Sequence, residues 1–144
     1  MNAPTNPKEL ELQTVEFNLD GKTIISYEGE TILKAAKRHG VDIPHLCFKD
    51  GYRPDGNCRA CVVEINGERT LAPSCCRSAT PGMEVKAKSE RAIKSQKLVI
   101  EMLLSDMPDE GFKWVGDTKA EEQKNQHGEL STWAARMDVT VRPE

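Results

Sequence analysis

All five cysteines of this chain fall between Cys47 and Cys76, in "LCFKDGYRPDGNCRACVVEINGERTLAPSCC". Twelve of these 31 residues are glycine, proline, cysteine or asparagine, so the stretch reads as irregular chain. Five thiols gathered there constrain the fold more than any other feature, because something must hold such a loop in shape. Disulfides, a zinc ion and an iron–sulfur cluster are the three physical candidates. Cysteine number is odd, and no basic patch followed by an apolar run opens the chain as a secretory signal would. Both facts point to a reducing compartment, with the cytoplasm as the default location, and disfavour disulfides.

The spacing is Cys47-x10-Cys58-x2-Cys61-x13-Cys75, with Cys76 adjacent to the last. Structural zinc usually takes two close pairs, and only Cys58 and Cys61 make one, so zinc stays open on weak support. A thioredoxin-like redox pair needs a helix N-terminus, whereas Cys61 runs directly into the β-branched "VVEI". A [2Fe–2S] cluster fits the pattern better. Its thiolates and sulfides are negative and need backbone N–H groups aimed inward, and "DGYRPDGNCRAC" is chain able to supply them. Arg53, Arg59 and Arg77 are cations near this loop, each read first as a solvated surface charge. His39, His45 and His127 do not flank the cysteines as cluster ligands would, and all three are read as non-ligands.

The flanks carry ordinary folding signals. Val15, Phe17 and Leu19 alternate, Asp20-Gly21 marks a hairpin turn, and a second strand runs through Ile24 or Ile25 to Tyr27. Over "ETILKAAKRHG" the residues Ile32, Leu33, Ala35 and Ala36 form one apolar stripe, with Thr31 as N-cap and Gly40 closing the helix. A second hairpin is expected from Val62 to Leu71 around Asn66-Gly67, then a short strand at Met83–Val85. Ser89 caps a second helix, whose stripe of Ala92, Ile93, Gln96, Val99, Ile100, Leu103 and Leu104 packs on the sheet or a neighbouring element. The order fits an α+β fold, a small sheet crossed by a helix.

Composition changes after that helix. Residues 106–144 carry nine acidic and five basic side chains, net −4, against +1 for residues 1–105. Both tryptophans, Trp114 and Trp133, lie there among few aliphatic residues. The expected organisation is a disordered N-terminus over 1–8, a cysteine-bearing domain over 9–88, a packing helix over 89–105, and a partner-docking or loosely ordered tail over 106–144. The net charge of −3 argues against nucleic acid as a partner, and no apolar run is long enough to span a membrane.

"EGETILKAAKRHGVDIPHLC", "GNCRACVVEINGE", "LAPSC" and "PGMEV" resemble the N-terminal ferredoxin-like module of the complex I 75-kDa subunit family. That group includes iron-only hydrogenases, the diaphorase subunit of NAD-reducing hydrogenases and the catalytic subunits of NAD-dependent formate dehydrogenases. The resemblance covers about Val15 to Leu104. It implies a β-grasp fold and a [2Fe–2S] cluster on Cys47, Cys58, Cys61 and Cys75, with Cys47 and Cys58 on one iron and Cys61 and Cys75 on the other. Cys76 is read as a small buried side chain facing away from Cys75, as neighbours in extended chain do; a stand-in ligand is the other reading.

One departure from the family narrows the expectation. Where relatives carry a His-Pro segment and three further cysteines for a [4Fe–4S] cluster, this chain has "LLSDMPDEGFKW", with Met107 before Pro108 and no cysteine after Cys76. The tail "STWAARMDVTVRPE" looks most like that of a formate dehydrogenase catalytic subunit. The resemblance therefore implies a relay of single electrons in a formate dehydrogenase type complex. Its partners would be a molybdo- or tungsto-pterin catalytic domain and a flavin- and NAD-binding subunit, and this segment would turn over nothing alone. An NAD-linked hydrogenase or complex I-like assembly is the alternative, and a zinc-stabilised interaction domain a third. The chain is expected to be one module of a longer subunit, with a separate small subunit as the alternative.

Overall fold

A turn that needs two positive φ values starts the sheet. Asp20 and Gly21 adopt φ of 51° and 85°, and the Asn18 side chain accepts the Gly21 N–H at 2.8 Å. Such a turn matches the twist of its strands. Strands β1 (Thr14–Leu19) and β2 (Lys22–Tyr27) therefore pair antiparallel, with Phe17 opposite Ile24 and Leu19 opposite Lys22. That register decides between the two isoleucines. Ile24 shares a face with Phe17 and is buried, while Ile25 faces outward.

The computed structural model describes residues 13–106 and 129–139. The expectation for residues 1–8 and the greater part of that for 106–144, Trp114 included, fall outside these ranges.

Helix α1 (Ile32–Arg38) forms where its stripe and caps place it. The Thr31 hydroxyl accepts from the Lys34 N–H at 3.4 Å, Gly40 follows at φ 77°, and Ile32, Leu33, Ala35 and Ala36 are buried on the sheet. Arg38 ties the helix to β2. It donates to both Glu30 carboxylate oxygens at 2.8 and 2.7 Å and to the Ile25 carbonyl at 2.8 Å, and stacks on Tyr27. This fork holds the Glu30 carboxyl below its ordinary pKa, with a further hydrogen bond from the Tyr27 N–H.

β3 (Val62–Ile65), β4 (Ala72–Pro73) and β5 (Glu84–Lys86) complete a five-stranded mixed sheet in the order β2-β1-β5-β3-β4. β5 runs parallel to β1 and antiparallel to β3, so the sheet with α1 across it is the β-grasp arrangement. The return strand differs from the sequence expectation. It lies at Ala72–Pro73, with Val63 opposite Ala72, rather than at Thr70–Leu71. The expected Asn66-Gly67 turn does form, with the Glu68 N–H on the Ile65 carbonyl at 3.0 Å and Gly67 at φ 85°, while the Asn66 N–H and side-chain amide bind the Glu84 carbonyl and carboxylate at 2.9 and 3.1 Å. The chain beyond it pairs only from Ala72.

Helix α2 (Glu90–Ser105) is capped by the Ser89 hydroxyl, which accepts from Ala92 N–H at 3.2 Å. Ala92, Gln96 and Ile100 are its buried residues. Gln96 donates to the Val62 and Ala87 carbonyls at 2.8 and 3.2 Å, which pins the helix to the sheet. A third helix, α3 (Glu129–Arg136), packs on α2. Trp133 therefore finds its partners within the chain: it is buried with Ile100 and Ala134, with Leu46, Leu104, Leu130, Met137 and Val139 around them. No described helix is long and apolar enough to cross a membrane.

Candidate metal centre

The cysteine loop leaves the core after Phe48 and returns to buried positions at Ala60. Between them the chain turns on glycines, with Gly51 at φ 86° and Gly56 at φ 68°; Arg59 also takes the left-handed region, at 62°. That conformation is costly for a residue with a Cβ and persists where its surroundings enforce it. Here it lies inside the Cys58-x2-Cys61 pair and brings the Ala60 N–H to 3.5 Å from Cys58 Sγ.

Cys61 and Cys75 are almost fully buried, Cys58 is half-buried, and Cys47 and Cys76 are exposed. None is in a disulfide. Hydrogen bonds tie the Cys75 segment to β3. Ser74 donates to the Cys61 carbonyl from its N–H at 3.1 Å and from its hydroxyl at 2.6 Å. The start of α1 holds the other side, with the Leu33 N–H on the Ser74 carbonyl at 3.0 Å and the Ile32 N–H on the Arg77 carbonyl at 2.9 Å. These are first-turn N–H groups without a partner in the helix, so the turn 74–77 is bracketed by backbone bonds.

Burial, above all, and then the neighbouring Cys61 and Cys76 thiols raise the Cys75 thiol well above the ordinary cysteine range. A thiol so placed ionises only with a cation beside it. Five free thiols within thirty residues, of which Cys61, Cys75 and Cys76 lie beside one another, with glycine turns and a backbone N–H on a sulfur, are a donor set whose chemistry fits an iron–sulfur cluster. Among the described residues, no three Cys, His, Asp or Glu side chains converge closely enough for a single ion.

The structure corrects the reading of Cys76. Residues 74–76 form a turn, closed by Cys76 N–H and Arg77 N–H on the Pro73 carbonyl at 3.1 and 3.0 Å. Neighbouring side chains alternate sides in extended chain but not in a turn. Cys76 is exposed rather than buried, and its Sγ lies 3.6 Å from Cys75 Sγ rather than away from it.

The surrounding residues also find places. Arg77 pairs with Glu68, while Arg53 and Arg59 are exposed. His39 Nε2 meets the Ile25 backbone, and His45 Nδ1 the Ile43 carbonyl at 2.8 Å; His127 lies outside the described residues. The sequence reading missed a second support of the loop. The His45 ring packs edge-on against both Phe48 and Trp133, Lys49 pairs with Glu129, and Arg136 pairs with Asp42 at 3.0 Å. Helix α3 thus lies along the segment that leads into Cys47. Trp133 was the one visible signal, an aromatic in a segment otherwise short of apolar residues.

Comparison with known proteins follows the same lines. The profile of the 2Fe-2S iron-sulfur cluster binding domain family matches residues 13–90. The NADP-reducing hydrogenase subunit HndD of Solidesulfovibrio fructosivorans is 42% identical over 137 residues, 92% of this chain and 22% of that protein. The mitochondrial NADH-ubiquinone oxidoreductase 78 kDa subunit of Candida albicans is 35% identical over 123 residues, 81% of this chain and 16% of that one. Among solved structures, an NAD+-reducing [NiFe]-hydrogenase in the H2-reduced state superposes with a TM-score of 0.70 at 32% identity, over 88% of this chain and 50% of that one. The chain thus spans about a fifth of the length of these two curated relatives.

Proposed function

Because the chain belongs to the 2Fe-2S iron-sulfur cluster binding domain family, we propose that Cys47, Cys58, Cys61 and Cys75 together hold one [2Fe–2S] cluster in an electron-relay module of an NAD-linked redox assembly. The observation that carries this reading is the placement of Cys61 and Cys75, two buried thiols on segments tied by backbone bonds, beneath a glycine-turned loop bearing Cys58. When bound, such a cluster supplies one-electron transfer, near roughly −400 mV in plant-type ferredoxins.

The chain's own residues have separable tasks. Cys61 and Cys75 hold the group from the core side, where burial excludes water. Ala60 N–H donates to the Cys58 sulfur at 3.5 Å and orients it. Exposed Cys47, with Tyr52, Arg53 and Arg59 also exposed on the loop, marks the edge where electrons enter or leave toward a partner. Five free thiols suit a reducing cytoplasm.

Within this class we place the module in a formate dehydrogenase, between a molybdo- or tungsto-pterin catalytic unit and a flavin- and NAD-binding subunit. Support comes from the tail "STWAARMDVTVRPE" and from the cysteine-free segment after α2. An NAD-linked hydrogenase is the second reading, favoured by the 42% identity to the hydrogenase subunit. In the assembled complex, formate should bleach the cluster's visible bands and hydrogen should not; the reverse supports the hydrogenase. The relay reading itself is tested by anaerobic purification. We expect red-brown protein with iron and acid-labile sulfide in equal amounts, bleaching with dithionite, and a reduced-state EPR signal lost in Cys58→Ser. Colourless protein with stoichiometric zinc would overturn it.

A further inference from the structure

We propose that Cys76 is a reserve ligand for the position that Cys75 fills, able to take over its iron bond without release of the metal. The inference rests on the cluster-binding reading above and goes beyond its four-ligand set.

Two observations carry it independently. The first is the distance between the sulfurs. Cys75 Sγ and Cys76 Sγ lie 3.6 Å apart. Two thiolates on one tetrahedral metal with bonds of about 2.3 Å sit roughly 3.8 Å apart. The pair is therefore spaced as two ligands of a common metal would be. The turn that achieves this is fixed on both sides, by Cys76 and Arg77 N–H on Pro73 and by α1 N–H groups on Ser74 and Arg77. Exchange of one sulfur for the other thus needs side-chain rotation and leaves the backbone in place.

The second observation is the room made for Cys76. A Cβ on Gly56 would stand 3.0 Å from Cys76 Sγ and 3.7 Å from the Pro73 ring. That is tighter than nine in ten real Cβ contacts, so the sulfur would have to give way by a few tenths of an ångström. The loop that carries Cys58 thus passes over the Cys76 sulfur at a residue without a side chain. A cysteine that merely faced solvent would need neither this gap nor a sulfur neighbour. Cys75 is fully buried and Cys76 exposed, which makes Cys75 the resident ligand and Cys76 the substitute. In the exchange the Cys76 thiol gives its proton to solvent and its sulfur takes the iron bond. The released Cys75 sulfur takes up a proton, and no electron moves.

The test uses the full chain, purified anaerobically with its cluster, as wild type, Cys76→Ala, Cys75→Ala, the double alanine variant and Cys58→Ser. We expect Cys75→Ala to keep iron and sulfide with shifted visible bands and EPR g-values, and the double variant to lose both. Cys76→Ala should keep the wild-type spectrum but release iron to a chelator several-fold faster. Folded yet iron-free Cys75→Ala overturns the proposal, as does iron retained equally in the double variant. Should Cys75→Ala fail to fold, the chelator rate decides, and a Cys76→Ala rate equal to wild type overturns it. An iron-free Cys75→Ala or an unchanged chelator rate leaves the four-ligand reading standing, whereas iron retained in the double variant would also remove Cys75 from that set. A wild type without iron, or Cys58→Ser with a complete cluster, would instead overturn that reading and this one together.

Discussion

Replacing Trp133 with alanine should detach α3 while leaving the β-grasp sheet folded. Trp133 is buried in a cluster with Ile100 and Ala134, separate from the core beneath α1. Large-to-small changes at buried tryptophans cost about 3–5 kcal/mol. The neighbours here are half-buried and free to close the gap, so the cost should fall near the lower limit, about 3 kcal/mol. Little else holds the helix. Its ion pairs, Glu129 with Lys49 and Arg136 with Asp42, are exposed, and such pairs contribute up to about 1 kcal/mol each. A helix of eight residues is not stable alone in water. The assay is amide hydrogen exchange resolved by segment. About 3 kcal/mol corresponds to roughly a hundredfold loss of protection. It should appear at Met137 and Val139, whose N–H groups bond to Trp133 and Ala134, and extend to 42–49, where His45 loses its ring contact. Amides of β1, β3 and β5 should keep their protection. Unchanged exchange over 129–139 would refute the argument, and so would equal losses in the sheet, which would mean that α3 and the sheet unfold as one unit.

Three other perturbations test the packing. Gly56→Ala places a Cβ against Cys76 Sγ at φ 68° and should destabilise the fold by about 1–2 kcal/mol, read from the midpoint of urea unfolding. Gln96→Leu keeps the volume but leaves the Val62 and Ala87 carbonyls without its donor; a loss of about 1–3 kcal/mol in the same assay is expected, and none would mean these bonds are dispensable. Glu30 has its carboxyl pKa lowered by the Arg38 fork, so its charged form is favoured by folding. That contribution is complete above roughly pH 5 and is lost as pH falls through the lower folded pKa. Glu30→Gln should therefore be less stable than wild type near neutrality, with the gap closing in acid; a gap that stays constant with pH would exclude the linkage.

Much of the fold was legible because its signals are local. The Asp20-Gly21 turn, the Thr31 and Ser89 caps, the Ile32–Ala36 stripe and the alternation at Val15–Leu19 each depend on a few consecutive residues. Their hydrogen bonds close within a turn or across a hairpin. The cysteine spacing likewise carried the nature of the group, since soft, ionisable sulfur in glycine-rich chain suits few partners. The Asn66-Gly67 turn was read correctly, but the return strand was placed too early, because the pairing of Val63 with Ala72 is set by contacts beyond the turn and leaves no local signal.

What the chain alone determined is therefore most of the inventory: the first hairpin, the two helices α1 and α2, and thiols gathered in one loop, but neither α3 nor the place of β4. Tertiary structure decided everything that depends on facing. It chose Ile24 over Ile25 through the strand register and gave Trp133 a partner on α2. It also turned Cys76 toward Cys75, because bonds from Pro73 and from the start of α1 hold those residues in a turn. Short-range forces write local conformation into neighbouring residues, whereas the direction of a side chain is fixed by groups that only folding brings near.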